Sequence, residues 1–168
     1  DDTVIESFRY DNNAPWPESP DGLGPSLTRI LPPSDPADPA SWRPSVASGG
    51  SPAASDAVAF VGDPGTDDDS DGTSALLEHA FGTSDNDPTD RQMLVLSSDP
   101  LSITVQQNLA ADDVIWTVEQ SSDLISWSPM QSFERTTDNN FDGTSTVQFT
   151  NFAADGPRQF WRARIELR

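Results

Sequence analysis

The chain has 168 residues and a strongly acidic composition. Its 28 Asp and Glu residues outnumber nine basic residues, all of them Arg, so that the formal net charge is -19. Such a surface repels nucleic acid and anionic membranes and attracts divalent cations, which excludes DNA or RNA binding as the function. The length accommodates one ordinary domain or two small ones.

The sequence contains no Cys, and this limits how a small module can be stabilised. Disulfides and thiolate metal sites are ruled out, so an extracellular module needs another source of stability, for which bound calcium is the natural choice. No apolar run approaches the length of a membrane span, and we expect any signal peptide to lie outside this chain. A Lys-free, Asp-rich composition is also typical of salt adaptation, and composition alone does not separate the two explanations.

The N-terminal part of the chain predicts two short strands followed by irregular structure. Residues 3–10 (TVIESFRY) alternate well enough for one strand, and residues 26–31 (SLTRIL) predict another. Residues 31–56 are so rich in Pro, Ser, Ala and Gly that we expect no regular structure there. Two forms are open for this segment, an extended coil held in place by Trp42 and a flexible linker.

The same region carries four short motifs in a fixed order. They are a Y-D-x-x-x-P-W-P turn, a D-G-x-G-x-S-L strand, a D-P-x-x-W element and a terminal G-G-[ST]-P. Together they resemble the closing segment of the lamin tail domain of secreted bacterial proteins, over residues 1 to about 53. The resemblance implies part of an immunoglobulin-like sandwich of about twice this length, whose first strands lie outside this chain. The matching residues are Tyr10, Asp11, Pro15, Trp16, Pro17, Asp21, Gly22, Gly24, Ser26, Leu27, Trp42 and residues 49–52.

Two strands without the rest of their sandwich leave backbone hydrogen-bonding groups unpaired, so the N-terminal strands need a partner surface. Three sources remain open. They are the C-terminal half of this chain, an upstream part of the precursor, and a neighbouring copy that accepts residues 3–10 as an added strand. The third source predicts a self-assembling filament with Val4, Ile5, Phe8 and Tyr10 as the strand-exchange residues.

An acidic loop at residues 67–78 (DDDSDGTSALLE) fits the calcium pattern D-x-[DN]-x-[DN]-G-x5-E. Carboxylates at alternate positions of a tight loop converge on one point, and Ca2+ takes about six to eight oxygen ligands. The alternative is a solvated acidic linker. The predicted ligands are Asp67, Asp69, Asp71, the carbonyl of Thr73, and Glu78. Asp85, Asp87 and Asp90 are near enough in sequence to complete the shell or to hold a second ion.

A short helix over residues 74–81 is predicted directly after this loop, with Gly82 ending it. Residues 63–65 (DPG) prevent a helix in front of the loop, so we predict a loop with a single helix instead of a paired sensor. The pattern D-x-D-x-D-G-x-S-x-L-L-E, followed by F-G-T, resembles the thrombospondin type 3 or dockerin-like calcium segment of secreted bacterial proteins. That resemblance implies a stiff spacer organised by calcium. His79 is interpreted as a surface or packing residue.

From residue 92 onward the sequence predicts regular β structure. Short alternating segments separated by turn-forming clusters are typical of a small antiparallel sandwich. Arg162, Arg164 and Glu166 are expected on the outer face of the last strand. The expected inward-facing residues are Leu101, Ile103, Val105, Val114, Trp116, Val118, Val147, Phe149, Trp161, Ala163, Ile165 and Leu167.

Two further patterns lie in this C-terminal region. V-E-x-S-x-D-L-x-x-W at residues 118–127 and R-x-F-x-R-x-R at residues 158–164 resemble the C-terminal module of the same secreted proteins, over residues 93–168. That resemblance implies an appended domain without a catalytic role. Residues 138–143 (DNNFDG) begin like the calcium pattern but have Phe149 where the closing Glu belongs. We interpret them as a hairpin turn, with a weak ion site as the alternative.

The predicted fold is therefore mostly β. It consists of a small antiparallel immunoglobulin-like β-sandwich at the C-terminus, one short helix after a calcium loop, and an extended Pro-rich N-terminal region with one or two strands. The predicted boundaries are 1–53 for the partial lamin-tail-like segment, 54–91 for the calcium linker and 92–168 for the sandwich. Catalysis is disfavoured, because the chain has no Cys, no Lys, one His and no G-x-S-x-G motif.

Two non-catalytic functions fit this sequence. The first is a secreted structural module, stiffened by Ca2+, for surface display, adhesion or self-assembly, with other copies of itself or upstream domains of the precursor as partners. The second is a carbohydrate-binding accessory of a larger secreted enzyme, with Trp16, Trp42 and Trp127 as a platform for surface glycans. Coplanar, solvent-facing tryptophans favour the second function, and a chain-to-chain contact at residues 3–10 favours the first.

Overall fold

The computed structural model of the protein describes residues 7–30, 35–92, 94–98, 101–130, 133–150 and 159–168. Antiparallel strands dominate these residues, as the sequence predicted. The strands are β1 Pro25–Arg29, β2 Trp42–Ser48, β3 Val95–Ser98, β4 Leu101–Asn108, β5 Val114–Ser121, β6 Ser128–Pro129, β7 Glu134–Asn139, β8 Thr144–Thr150 and β9 Phe160–Leu167. A 3-10 turn, Pro39–Ser41, precedes β2, and the α-helix of the described residues is α1, Ala75–Phe81.

Strands β1 and β2 form an antiparallel pair in which Leu27 lies opposite Pro44 and Arg29 opposite Trp42. A strand is formed in the region predicted over residues 26–31, with the bounds Pro25–Arg29, and residue 31 lies outside the described residues. The expectation of irregular chain throughout residues 31–56 is wrong, because β2 lies within them. Among the described residues β2 has a single strand neighbour, and a proline is tolerated in a strand that has such a free edge. The composition of this segment therefore did not indicate the strand that it contains.

The strand predicted over residues 3–10 is not formed in its described part. Residues 7–10 have no strand hydrogen bonds. The Phe8 ring instead stacks on Trp42 at 4.8 Å between centroids, and Tyr10 meets Trp16 edge-on at 6.4 Å. Aromatic packing replaces strand alternation here. Val4 and Ile5 lie outside the described residues, so strand exchange through them stays a prediction.

Strands β3 to β9 form a sandwich of two antiparallel sheets, with strand orders β3-β4-β8-β7 and β6-β5-β9. The predicted inward faces are confirmed, because strand residues from both sheets meet in one core. Leu167 is an exception and is 38% exposed, since it is the last residue of an edge strand. The buried core residues are Ile103, Val105, Val118, Met130, Val147 and Phe149, with Trp116 and Trp161 packed against them.

Helix α1 begins one residue after the predicted start and ends before Gly82, which adopts the left-handed conformation and donates its N–H to the Glu78 carbonyl. The helix is short and docks on the sandwich, because the Phe81 ring lies 5.7 Å from that of Trp116. Side chains of β4 also bind its last carbonyls. Gln106 donates to Phe81 O at 3.1 Å, and Asn108 donates to His79 O at 2.9 Å.

The turn between β4 and β5 contacts β2, the segment at Phe60 and helix α1. Asp112 accepts a hydrogen bond from Arg43 of β2 at 2.5 Å. Its neighbour Asp113 accepts from the Phe60 N–H at 2.6 Å and pairs with His79 at 3.0 Å. The His79 ring also packs edge-on against Phe60 at 5.5 Å, a contact that agrees with its interpretation as a surface or packing residue.

Candidate metal centre

Three aspartates of the acidic loop converge on one point. Asp67, Asp69 and Asp71 each offer a carboxylate oxygen within 4.8 Å of the others. The loop is wrapped around them by its own backbone, because the Asp71 N–H donates to both Asp67 and Asp69 and the Gly72 N–H donates to Asp67 at 3.0 Å. Gly72 has a φ of 95°, which a residue with a side chain rarely adopts. The Thr73 N–H donates to Asp71 at 2.6 Å.

Glu78 brings a fourth carboxylate to this loop from the first turn of α1. The residue is 1% exposed, and its Oε2 atom has no hydrogen-bond partner. Its Oε1 atom accepts a long hydrogen bond, 3.4 Å, from the Thr83 hydroxyl. Burial first, and then the nearby Asp85, Asp69 and Asp71, raise the pKa of Glu78 to about 7. A buried carboxyl with an unpartnered oxygen is costly unless a cation or a donor compensates it.

The three aspartates after the helix have different roles. Asp85 lies within hydrogen-bonding reach of Glu78 and also accepts the Asp68 N–H at 3.1 Å, so it belongs with the loop. Asp87 accepts from the N–H and hydroxyl of Thr89, and Asp90 accepts the Ser84 N–H at 3.1 Å. These hydrogen bonds stabilise local turns. The structure brings Asp85 to the acidic loop, whereas the side chains of Asp87 and Asp90 bind their own segment.

An arginine that the sequence did not single out also lies at this loop. Arg91 Nε is 3.1 Å from Asp71 Oδ2, an ion pair without good hydrogen-bond alignment, and it also donates to the Pro88 carbonyl. The Thr73 N–H lowers the pKa of Asp71, burial opposes it, and Arg91 lowers it further. Within the described part of the chain no cation pairs with Asp69. Burial raises its pKa, the hydrogen bond from the Asp71 N–H opposes this, and the charges of Asp71, Asp67 and Asp85 raise the pKa further. Nothing in the loop pattern indicates a basic residue twenty positions further on.

The second acidic loop is a hairpin turn between β7 and β8, as predicted. Asp142 accepts from the N–H and hydroxyl of Thr144, and Asn139 accepts the Phe141 N–H at 2.7 Å. These hydrogen bonds hold the turn. The Asp142 carboxylate therefore already has hydrogen-bond donors within the hairpin.

The three tryptophans predicted as a sugar platform do not form one plane. Trp16 and Trp42 are half-buried, with ring planes inclined at 40° and centroids 6.4 Å apart. Trp127 lies elsewhere, on the sandwich, with the Arg162 guanidinium 4.2 Å above its ring. Both sites are arrangements in which the rings pack against other side chains.

Comparison of the chain with protein-family models, with curated proteins and with solved structures found no match in any of the three. The resemblances to the lamin tail domain and to a dockerin-like calcium segment therefore stay predictions. Within the described residues, no helix is long and apolar enough to cross a membrane.

Proposed function

We propose that the protein is a non-enzymatic, secreted structural module whose acidic loop binds Ca2+ and so fixes the segment between the N-terminal strand pair and the sandwich. The observation that carries this proposal is the buried Glu78 carboxylate, which has an unpartnered oxygen beside the converging aspartates. A loop that was only a solvated acidic linker would leave its carboxylates in water. This one directs a buried carboxylate towards other acids, an arrangement that a divalent cation stabilises.

The ligand set follows from the positions of the carboxylates. Asp67, Asp69 and Asp71 supply the converging oxygens, Glu78 supplies the buried one, and the Thr73 carbonyl occupies the seventh position of the loop. Asp85 is a further ligand, because it lies against Glu78 and takes part in the same electrostatic cluster. This donor set contains only oxygen, which suits Ca2+ better than a transition metal.

The bound ion has a structural role in this proposal. Helix α1, which carries Glu78, is already docked through Gln106, Asn108 and His79, so it has little freedom to swing open as a sensor helix does. Calcium therefore stiffens residues 63–90 against the sandwich. Partners of such a module are other copies of the chain or upstream domains of its precursor, in surface display, adhesion or self-assembly, the last by strand addition through residues 3–10.

The test is a calcium titration of thermal stability at constant ionic strength. We expect the melting temperature to rise with Ca2+ and to return to its starting value with EDTA, because an ion that binds only the folded state stabilises it by mass action. Asp69→Asn should abolish this response. Asp87→Asn, which removes the same charge from a local turn, is the matched control and should retain it.

Screening of the net charge of -19 is the competing explanation, and the same titration distinguishes it. Raising NaCl to the same ionic strength should produce a smaller rise than CaCl2 does, and both variants should respond to NaCl alike. Equal effects of the two salts, or an unchanged melting temperature on adding EDTA to the calcium-loaded protein, would rule out the metal site.

A further inference from the structure

A cleft of about 830 Å3 lies between the N-terminal part of the chain and the open side of the sandwich. Its origin is the unequal width of the two sheets, since four strands, β3-β4-β8-β7, face three, β6-β5-β9. Strand β7 is at the edge of the wider sheet, and its residues 134–138 are exposed. The volume falls within the ~300–1,000 Å3 typical of ligand-binding clefts. None of the acidic-loop residues lines it.

The floor of the cleft continues the inner face of the wider sheet. Directly opposed residues in an antiparallel sheet share a face. Ile103, Phe149 and Arg135 form one such row across β4, β8 and β7, and Val105, Val147 and Thr137 form the next. Gln107, Ser145 and Asn139 form the third. The inner face is thus apolar under the narrower sheet and becomes polar along β7, where no strand covers it.

Aromatic rings from both parts of the chain complete the walls. Trp16 and Trp42 line the cleft from the N-terminal part, and Trp116 and Phe133 line it from the sandwich. The Asn139 side chain bridges the cleft by donating to the Ser19 hydroxyl at 3.1 Å. Rings on the walls and hydrogen-bonding side chains on the floor make a site that is apolar at its sides and polar at its base.

Arg135 is the arginine that β7 contributes to this site, whose lining also includes Arg43 and Arg168. Among the described residues it has no acidic partner within ion-pair distance, and its contact is the Gln107 side-chain oxygen, at 3.2 Å. The surrounding protein lowers the pKa of Arg135 by burial, although water still reaches the side chain through the mouth of the cleft. The cleft lining also contains the carboxylates of Glu18, Asp38, Asp112 and Asp138. Asp112 is paired with Arg43, and none of the four lies within ion-pair distance of Arg135. In a chain with 28 acids and nine bases, a guanidinium without an acidic partner lacks its usual complement.

We propose that this cleft binds an oligosaccharide that carries a carboxylate, as uronic acids do. The carboxylate binds Arg135, whose planar guanidinium can donate two parallel hydrogen bonds to it. Thr137, Asn139 and Gln107 are placed to hydrogen-bond sugar hydroxyls, and the indole of Trp16 offers an apolar surface to the C–H groups of a pyranose ring. The site differs from a flat tryptophan platform, because the sheet floor and not the rings supplies its polar specificity.

A saccharide suits the cleft better than a peptide does. An extended peptide bound by strand addition needs free backbone groups, which lie along the edge of β7, whereas the floor presents side-chain hydroxyl, amide and guanidinium groups. Several hydroxyl-directed donors and acceptors close to aromatic walls match a molecule that has many hydroxyls and apolar ring faces. An acidic peptide is therefore the alternative that the experiment must distinguish.

The experiment compares pairs of trisaccharides that differ in their carboxylates alone. Glucuronate, galacturonate and mannuronate trisaccharides are titrated calorimetrically into the full chain, followed by the same sugars with each carboxyl reduced to the alcohol, at one fixed Ca2+ concentration. We expect at least one uronate to bind about tenfold to a hundredfold more tightly than its reduced counterpart, because one charge-assisted pair changes affinity by that factor. Arg135→Gln should remove the difference.

Arg164→Gln is the matched control, since it removes the same charge from the exposed outer face of β9 and should leave the preference intact. Thr137→Val should weaken the acidic and the reduced sugar alike, because it removes a hydroxyl and keeps the shape. Melting temperatures establish that all three variants are folded. Equal affinity for both members of every pair, equal effects of the two arginine variants, no binding of any sugar, or binding of an acidic tetrapeptide instead would each overturn the proposal.

Discussion

Arg43 of β2 and Asp112 of the β4–β5 turn are joined by two parallel hydrogen bonds, 2.5 Å from Nε to Oδ1 and 3.0 Å from Nη2 to Oδ2. The side chains of both residues are 8% exposed, and Asp56 accepts a further bond from the same guanidinium at 2.7 Å. Because Asp113, the next residue, binds His79 and the Phe60 N–H, two successive side chains hold three segments of the chain against the sandwich.

We predict that Arg43→Met lowers the free energy of unfolding by about 3–5 kcal/mol, because it leaves two buried carboxylates without their cation. The cost should appear in urea unfolding at pH 7 with Ca2+ held constant. Arg9→Met, at an exposed position, is the control and should change stability by no more than about 0.5 kcal/mol. Equal stability of the two variants would mean that the pair does not hold the N-terminal strands in place.

The same contacts predict a loss of stability in acid. Burial by itself raises the pKa of Asp56, but the hydrogen bonds from Arg43 and from the Val46 N–H outweigh burial and leave the pKa below its ordinary value of 3.8. A carboxyl whose pKa is lower in the folded state stabilises the fold above its unfolded pKa and ceases to do so as the pH falls through its folded pKa. As the pH decreases below about 4, the melting temperature should therefore decrease as well. The decrease should be less steep for Asp56→Asn than for the wild type. Asp138→Asn, at an exposed position of β7, should keep the wild-type steepness.

Glu78→Gln separates the calcium proposal from a purely structural role of this residue. Without calcium the variant should be more stable than the wild type by about 1–3 kcal/mol, because it removes a charge from a buried, partly unpartnered side chain among other acids. It should also lose the calcium response, since an amide supplies one neutral oxygen in place of a bidentate carboxylate. Glu134→Gln, an exposed substitution in β7, should alter neither property. A calcium response that survives in Glu78→Gln would contradict the assignment.

The sequence predicted the local features of the structure well. Alternation placed Ile103, Val105, Val147 and Phe149 on one face, and the glycine after Phe81 marked the end of the helix within one residue of its observed position. Both signals depend on neighbouring residues and a fixed repeat, which a single sequence contains. The acidic spacing likewise identified the three aspartates that converge.

The features that the sequence did not predict depend on contacts between residues that are distant in the chain. Arg43 and Asp112 are 69 positions apart, and nothing in the sequence indicates that they pair. The fold also brings Arg91 to Asp71. Strand β2 was missed because Pro44 and its neighbours have a loop-like composition, although burial against the turn stabilises them as a strand. The cleft could not be predicted from the sequence for a similar reason. The inner face of β7, which includes Arg135, is polar and therefore gives no hydrophobic repeat.

Gly82 provides a test of how α1 docks on the sandwich. Its φ is 81°, and a Cβ atom there would lie 3.2 Å from Thr144 Cγ2 and 3.4 Å from Asn108 Cβ. Gly82→Ala should therefore lower the free energy of unfolding by at least about 1–2 kcal/mol, the cost of the left-handed conformation alone. Gly65→Ala is the matched control, because Gly65 has no positive φ and a Cβ there would make only an ordinary contact.

If the close approach matters as well, Gly82→Asn, which tolerates the left-handed conformation, should restore only part of the loss. A full rescue by Asn would show that backbone conformation, and not contact with β4 and β8, determines the requirement for glycine.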